Sequence, residues 1–325
     1  PLGGSAKATF SGRLEPLTGA YNLILQADGQ DMRMGQPIID AVLRGAAKLT
    51  ADLVRDASGT KVNSASISAN SLSANAQGAL SSDATDLTAQ LRFADLSVLG
   101  GGLGGTITAD AHRSGPFASA NLQATANGQG LRMGNAQIDK LIVGDSRLSA
   151  DLTVQNGTSI KINRASLNSP QLTAEITGLA DGSKQTLDLK AQLRNLGLLI
   201  PEFPGELVLS GQVINTAGGA QIDLTGKGPG GIDAVITGRV EKSGQADLAI
   251  RGRGQAALAN AFIAPRTVSG GLGFDLRLNG PLALSSVSGP ITLEGGRLSD
   301  PGLTFGFQDI SARADLAGGQ AKVNA

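Results

Sequence analysis

The sequence predicts an all-β protein: a long, curled, amphipathic sheet of the β-taco or groove type, built from repeats and with at most a few short helices. Three observations support this prediction. Apolar and polar residues alternate along most of the chain, which gives each strand one apolar and one polar face. Glycine accounts for 46 of 325 residues, and turn-forming sequences recur roughly every 8–12 residues. A long stretch of sequence also repeats after about 100 residues.

The predicted strands are clearest where the alternation is strict. In LSADLTV, which begins at Leu148, the apolar side chains occupy every second position, and the polar ones occupy the positions between them. The same pattern is found in DLTAQLRF from Asp86, TLDLKAQLR from Thr186 and GLGFDLRL from Gly271. Turns are predicted between strands at NGT from Asn156, DGS from Asp181, KSGQ from Lys242 and NGP from Asn279.

Helix signals are confined to three short stretches. AALANAFI begins at Ala256 and stops before Pro265, which predicts one short helix. ADLSVL from Ala94 and NLGLLI from Asn195 each predict about one helical turn. All other segments favour strand.

An internal repeat organises the chain. ADGQDMRMGQPIID from Ala27 realigns onto ANGQGLRMGNAQID from Ala126, and KLTADL from Lys48 realigns onto RLSADL from Arg147. A weaker third copy starts near Gln221. The predicted division is a repeat unit over 1–120, a second over 121–220 and a more divergent third over 221–325. Stacked copies of this kind extend one elongated sheet rather than form independent domains.

The apolar faces of the predicted strands must be hidden from water. Two sheets can cover one another in a sandwich, but the inward set here is mostly Ala, Leu, Ile and Val, with few aromatic side chains. A single curled sheet with an apolar groove is the favoured alternative, because abundant glycine permits bends and bulges. The residues predicted to line the groove are Leu49, Leu53, Leu87, Leu91, Phe93, Leu148, Leu152, Val154, Leu187, Leu189, Leu193, Leu272, Phe274, Leu276 and Leu278.

Composition argues against several kinds of chemistry. The chain has no cysteine and a single histidine, His112, so thiolate ligands, a cysteine nucleophile and a multi-histidine metal centre are excluded. Basic and acidic residues number 27 each, so no net charge attracts nucleic acid. We therefore expect no catalytic residue, no metal, no cofactor and no nucleic-acid partner. His112 is predicted to be an isolated, exposed side chain.

Two glycine motifs are predicted to be structural: GKGPGG a turn, and GGGLGG a loop or bulge. GKGPGG from Gly226 has the spacing of a dinucleotide-binding loop, but a strand-like sequence follows it where that loop requires a helix. GGGLGG from Gly100 lacks the aspartate of calcium-binding glycine repeats. The recurring Arg33 and Arg132 are predicted to lie on a solvated strand face, with contact to anionic headgroups at the groove rim as the alternative.

Between Ala259 and Leu303 the chain has a short apolar turn ending at Pro265, a strand beginning V-S-G, then N-G-P, then G-x-I-x-L-x-G-G. On these motifs the last third of the chain resembles the TamB family, the translocation and assembly module proteins of the AsmA-like, bridge-type lipid transport group. The stretch from Leu122 to Asp139 is similar to the strand–turn units of the family.

The resemblance implies a periplasmic protein of the bacterial envelope, anchored in the inner membrane and meeting a TamA-like, BamA-related outer-membrane protein. It also implies that phospholipid acyl chains are carried in a β-groove. The chain, which begins at Pro1, is expected to be a segment of a longer protein with its anchor outside the segment.

Three functions are compatible with the sequence. The first is a non-enzymatic conduit for phospholipid between the two membranes. The second is an assembly factor that guides outer-membrane or autotransporter proteins by β-augmentation. The third is a structural or adhesive β-repeat surface protein, although solenoids of that kind repeat at about 20–25 residues rather than near 100.

Overall fold

The structure is a computed structural model that describes residues 3–81, 83–182, 184–201, 203–281 and 283–324. The predicted fold class is confirmed. The described residues form 20 antiparallel strands, assigned to one sheet that is not closed, and the helices among them are all short. Contacts divide the chain into two compact units, Pro1–Gln171 and Leu172–Ala325. This division falls elsewhere than the repeat boundaries at 120 and 220, which stay a prediction.

Unit 1 contains ten strands, and each pairs with its neighbour in sequence. Antiparallel pairing of consecutive strands requires only short connections, which the frequent turn sequences supply. The strands are β1 (Gly3–Glu15), β2 (Ala20–Arg33), β3 (Ala46–Asp56), β4 (Gly59–Ala69), β5 (Leu72–Leu80), β6 (Thr85–Phe93), β7 (Leu103–Gly115), β8 (Asn121–Met133), β9 (Asp145–Gln155) and β10 (Ser159–Asn168).

Unit 2 follows the same consecutive antiparallel scheme with ten further strands. They are β11 (Leu172–Asp181), β12 (Lys184–Leu193), β13 (Leu207–Thr216), β14 (Gly219–Gly228), β15 (Ile232–Val240), β16 (Gln245–Gln255), β17 (Thr267–Pro281), β18 (Val287–Ser299), β19 (Phe307–Ala317) and β20 (Gln320–Asn324).

The four strictly alternating segments all lie in strands, namely β6, β9, β12 and β17. The turn at NGT is also confirmed, since Asn156 and Gly157 connect β9 to β10 with φ values of 51° and 70°. KSGQ lies at the β15–β16 connection. DGS lies at the β11–β12 connection, and its Ser183 is outside the described residues.

The prediction of a turn at NGP from Asn279 was wrong. These three residues are the last of β17, where they pair with β16: Asn279 lies opposite Asp247, and Gly280 opposite Ala246. The chain turns only after Pro281. A proline is tolerated at the end of a strand because it lacks only its own N–H donor.

The three predicted helical turns are present. Residues Ala256–Ala259 form a 3₁₀ turn that continues into the α-helix Asn260–Ile263. Short 3₁₀ turns also occupy Leu96–Leu99 and Leu196–Leu198. The side chains of Asp95 and Asn195 cap these turns by accepting hydrogen bonds from the backbone N–H two residues later.

Two further α-helices were missed, and both lie inside the repeated sequence. They are α1 (Pro37–Val42) and α2 (Ala136–Leu141), so α3 is Asn260–Ile263. The repeated Asp orders each connection: Asp40 Oδ1 accepts a hydrogen bond from Met34 N, and Asp139 Oδ1 accepts one from Met133 N, both at 2.6 Å. The repeated unit is therefore a strand, a helical turn and a strand.

Because neighbouring strands are antiparallel, connections fall alternately at the two ends of the sheet in each unit. In unit 1 one end carries α1, the 3₁₀ turn Leu96–Leu99 and α2. The glycine motif GGGLGG lies at this end, and it packs against the glycine of the repeat: a Cβ on Gly134 would lie 2.2 Å from the carbonyl oxygen of Gly101. The prediction of a loop or bulge is confirmed: Gly100–Gly102 connect the 3₁₀ turn to β7, and the register of β7 shifts at Gly105.

Candidate functional site

The predicted groove-lining residues of unit 1 all lie on one face of its sheet. Cross-strand partners share a face, and the registers join these positions strand by strand, as in Leu72–Phe93, Ala74–Leu91 and Gly78–Leu87 across β5 and β6. The same face carries the lining residues of the other strands, which are Leu49, Leu53, Leu148, Leu152 and Val154.

A row of alanines runs across this face. From β3 to β10, each alanine lies directly opposite the next. Seven strand intervals of ~4.8 Å make this row about 34 Å long. Larger apolar side chains flank it, including Leu91 and Leu148 on one side and Leu87 and Leu152 on the other. The row consists of Ala51, Ala65, Ala76, Ala89, Ala111, Ala124, Ala150 and Ala165.

The apolar face of unit 1 is open. Leu49, Leu91 and Leu148 are 40%, 38% and 39% exposed, although they point to the same side as the alanine row. Their cross-strand neighbours include alanines such as Ala109 and Ala126, which are too small to cover them. Within the described residues, the ten strands of unit 1 pair consecutively, and these leucines of the apolar face remain accessible to solvent.

Unit 2 also gathers its predicted lining residues on one face. Leu187 and Leu189 of β12 lie opposite Val213 and Gly211 of β13. Across β16 and β17 the pairs are Leu248–Leu278, Ile250–Leu276, Gly252–Phe274 and Gly254–Leu272. Leu193 is 5% exposed and Leu278 is 8% exposed. Leu278 forms a buried cluster with Ala246 and Leu248, against which Ile222, Ile236, Val240, Ile250 and Val287 pack.

Arg113 and Thr85 are two of the polar residues that lie on the apolar face of unit 1. Arg113 lies between Leu87 and Leu122, its cross-strand neighbours. Thr85 is 2% exposed, and its hydroxyl is a buried group without a hydrogen-bond partner among the described residues. Alternation along β7 does not predict Arg113 on this face, because the apolar pattern of the strand ends at Ala111.

The central strands of unit 1 border a cavity of about 720 Å³, which is lined by alanines of the row together with their polar neighbours on each strand. Amide and carboxylate groups connect strands here: Asn75 donates to Gln90 at 3.4 Å, and Gln90 donates to Asp110 at 2.9 Å. Sequence reasoning missed this cavity, because polar side chains on a strand signal only a solvated face.

His112 lines the same cavity. Its side chain is 43% exposed, in agreement with the predicted exposure, and its Nε2 lies 2.8 Å from Asp86 Oδ1. The two residues are 26 positions apart in sequence, so only the β6–β7 register brings them together. Arg33 and Arg132 are also exposed, at the ends of β2 and β8.

Ion pairs connect the strands of unit 2 on its polar face. Arg277 donates two hydrogen bonds of 2.8 Å to Asp247, and Arg251 donates to Asp275 at 3.0 Å. The Arg277 guanidinium lowers the pKa of the Asp247 carboxyl below its usual range, chiefly through these hydrogen bonds. The carboxyl of Asp300 also has a lowered pKa, first because it accepts a hydrogen bond from Arg266.

The prediction of a turn at GKGPGG is confirmed for its last three residues. Gly226 and Gly228 are the end of β14, residues Pro229–Gly231 form a 3₁₀ turn, and β15 begins at Ile232. No helix follows the glycines, so the geometry of a dinucleotide loop is not formed. In the part of the chain that the structure describes, no three His, Cys, Asp or Glu side chains gather as metal ligands. None of the described helices is long and apolar enough to span a membrane.

Comparison with known proteins produced no match: neither a family model, nor a curated protein, nor a solved structure is similar to this chain.

Proposed function

We propose that the apolar sheet face of each unit binds the acyl chains of phospholipids, and that the protein is a non-enzymatic lipid conduit between two membranes. The observation that carries the proposal is the segregation of the fifteen predicted lining residues onto one face in each unit. In unit 1 that face is open, with Leu49, Leu91 and Leu148 about two-fifths exposed. Exposed apolar surface of this extent marks an interaction site.

The alanine row suits a flexible hydrocarbon better than a folded protein partner. An acyl chain needs a continuous apolar surface without directional hydrogen bonds, and methyl groups flanked by leucines supply one. A protein core packed against the row would need large side chains to fill the space above the alanines. The polar face, with its carboxylates, amides and guanidinium groups, stays in water and keeps the sheet soluble.

The cellular setting belongs to the same proposal. We propose that the chain is a TamB-like segment located in the periplasm, with its inner-membrane anchor outside the segment and a TamA-like outer-membrane partner. The support is the sequence resemblance between Ala259 and Leu303, together with the open amphipathic sheet.

A photocrosslinker scan tests the proposal through the two-residue period of a strand. The probe is placed in turn at Leu187, Asp188, Leu189 and Lys190 of β12, and crosslinked phospholipid is identified by mass spectrometry. We expect lipid at Leu187 and Leu189 and none at the two polar positions, because successive side chains point to opposite faces. Lipid on both faces, or on neither, would contradict the proposal.

Substitution in unit 1 supplies a second test with a matched control. Leu152→Asp places a charge on the apolar face, while Thr153→Asp places one on the polar face of the same strand. A carboxylate among acyl chains is strongly unfavourable, so we expect several-fold less co-purified phospholipid with the first change and no loss with the second. Bound peptide in place of lipid at the apolar positions would favour the assembly-factor function instead.

A further inference from the structure

A guanidinium group lies on the apolar face of unit 1. Arg55 belongs to this face because it follows Leu49, Ala51 and Leu53 at alternate positions of β3. The residue is exposed. Its one side-chain hydrogen bond within the described residues is donated from Nη1 to Thr60 Oγ1 at 3.5 Å. A guanidinium has five N–H donors, so most of them are available to a ligand.

Arg55 lies between two hydroxyl groups of the neighbouring strands. Tyr21 of β2 is directly opposite it on one side, and Thr60 of β4 is directly opposite it on the other. Side chains at such opposed positions share a face and are close neighbours. All three can donate hydrogen bonds. We call Tyr21, Arg55 and Thr60 the donor row.

The donor row adjoins the apolar side chains of the same strands. The next positions on this face are Leu23, Leu53 and Val62, which also lie opposite one another. From Arg55 the face continues along β3 for eight positions to Ala47, which is roughly 26 Å. Half of a bilayer's hydrocarbon core is about 15 Å thick. The face is therefore long enough to hold an acyl chain whose polar end lies at the donor row.

The second copy of the repeat has apolar residues at the equivalent positions. LTADLVRD of β3 aligns without a gap onto LSADLTVQ of β9, so Arg55 corresponds to Val154. The strand neighbours of Val154 are Ile160, which lies opposite it, and Ala120, whose carbonyl accepts its backbone hydrogen bond. Strand pairing at this end of the sheet is thus achieved without polar side chains. The donor row is a special feature of the first copy and is not required by the fold.

The charge on the apolar face has one sign. The registers of β1 to β10 place Arg55 and Arg113 on this face and, among the described residues, no Asp or Glu. The polar face carries both signs, as in Asp110 and Arg147. A ligand that is apolar along its length and anionic at one end therefore complements the apolar face.

We propose that the donor row binds the phosphate group of a phospholipid whose acyl chains lie on the apolar face of unit 1. This inference rests on the proposed function and adds the orientation of the lipid, with its headgroup at the end of the sheet away from α1. The guanidinium of Arg55 matches two phosphate oxygens with two parallel hydrogen bonds. The hydroxyls of Tyr21 and Thr60 donate to the same group.

A short-chain phospholipid tests the proposal. The probes are dihexanoylphosphatidylglycerol, as monomer, and dihexanoylglycerol, which has the same acyl chains and no phosphate. Binding of each to the full chain is measured by equilibrium dialysis. Arg55→Val introduces the residue of the second copy, so we expect phospholipid binding to weaken at least fivefold and dihexanoylglycerol binding to stay unchanged. Arg55→Lys keeps the charge and should restore part of the affinity, which would not occur if the loss came from misfolding.

Arg147→Val is the matched control. Arg147 is also an exposed arginine, and it also donates one side-chain hydrogen bond to a neutral oxygen, Asn127 Oδ1 at 3.2 Å. It lies on the polar face, opposite Asn127 and Asn168. The substitution removes the same charge from the other side of the sheet, so we expect it to leave the affinity for both probes unchanged.

Tyr21 reports the contact directly, since the chain has one tyrosine and no tryptophan. Its fluorescence should change with phospholipid concentration at the same midpoint as binding. The proposal is overturned if the parent chain binds both probes equally, or if Arg147→Val weakens phospholipid binding as much as Arg55→Val; acyl-chain binding itself would still stand. It is also overturned if inorganic phosphate binds as tightly as the phospholipid. If neither lipid binds, the proposed function fails, and this inference fails with it.

Discussion

At the scale of single residues, a few glycines decide whether the strands can approach their neighbours. Gly78 and Gly178 occupy corresponding positions in the repeat, lie on the apolar face, and have φ values of 142° and 149°. A Cβ on either would lie 2.0 or 2.1 Å from a carbonyl oxygen of the next strand. Only glycine fits such a position, which explains part of the unusual glycine content.

Replacing Gly178 by alanine should destabilise unit 2. The φ of 149° is a rarely populated region for a residue with a side chain, and strain of this kind costs about 1–3 kcal/mol. We expect the free energy of unfolding to fall by about 2 kcal/mol or more, measured by urea denaturation. Gly271→Ala is the control, because a Cβ there would meet the carbonyl oxygen of Glu294 at an ordinary contact distance of 3.9 Å. Equal losses for the two variants would contradict the explanation.

The repeated aspartates are predicted to hold the helical connections. Asp139→Ala removes the acceptor of the 2.6 Å hydrogen bond from Met133 N, so the free energy of unfolding should fall by about 1 kcal/mol. Exchange of the Met133 amide hydrogen should become faster. Asp139→Asn keeps a side-chain oxygen and should lose less stability. Asp40→Ala should speed exchange of the Met34 amide in the same way. No change in the exchange of either amide would argue against this role.

At the scale of elements, strand pairing is reinforced on the polar face by ion pairs. Arg277 of β17 holds Asp247 of β16 with two hydrogen bonds, and the pKa of Asp247 is lowered as a result. Both side chains are more than half exposed, so salt in the solvent screens the pair.

The stabilisation by Asp247 should depend on pH in a defined window. A lowered folded-state pKa means that the stabilisation is complete above the unfolded value, 3.8, and is lost as the pH falls through the folded value below it. The urea midpoint of Asp247→Asn should therefore lie below that of the parent chain from neutral pH down to about pH 4, and the two should converge in more acidic solution. If the difference between the two urea midpoints persists at the lowest pH, or is unaffected by high salt, the ion pair is not its cause.

At the scale of the molecule, the alternation of connections places every helical turn at a sheet end and leaves the faces to the strands. Helices occupy about a tenth of the chain. We therefore expect the far-ultraviolet circular dichroism spectrum to be dominated by strands.

The rate of amide hydrogen exchange should depend on whether a strand has one or two neighbours in the sheet, and not on its sequence. The hairpins β1–β2 and β7–β8 have the same register, yet β1 has one neighbour and β7 has two. We expect amides of β1 to exchange faster than their counterparts in β7, for example Ala8 against Ala109, because edge strands open locally at lower cost. Equal protection in the two strands would mean that the edge of β1 is already covered.

Much of this arrangement could be predicted from local pattern. Alternation assigns each leucine of β6, β9, β12 and β17 to a face, because the period of two is a property of the strand itself. The turns at Asn156 and Gly226 follow from glycine and asparagine for the same local reason. The helices α1 and α2 were missed because six residues are too few to show a helical period.

What the sequence determined by itself is which side chains share a strand face. What the tertiary structure decided is which strands lie beside one another and in what register, since pairing joins residues many positions apart. That register aligns Ala89 with Ala111, brings His112 to Asp86, and gives β7 a second neighbour while β1 has one. The alanine row and the cavity that it helps to line are therefore properties of pairing, because backbone hydrogen bonds between strands carry no signature in either strand's own sequence.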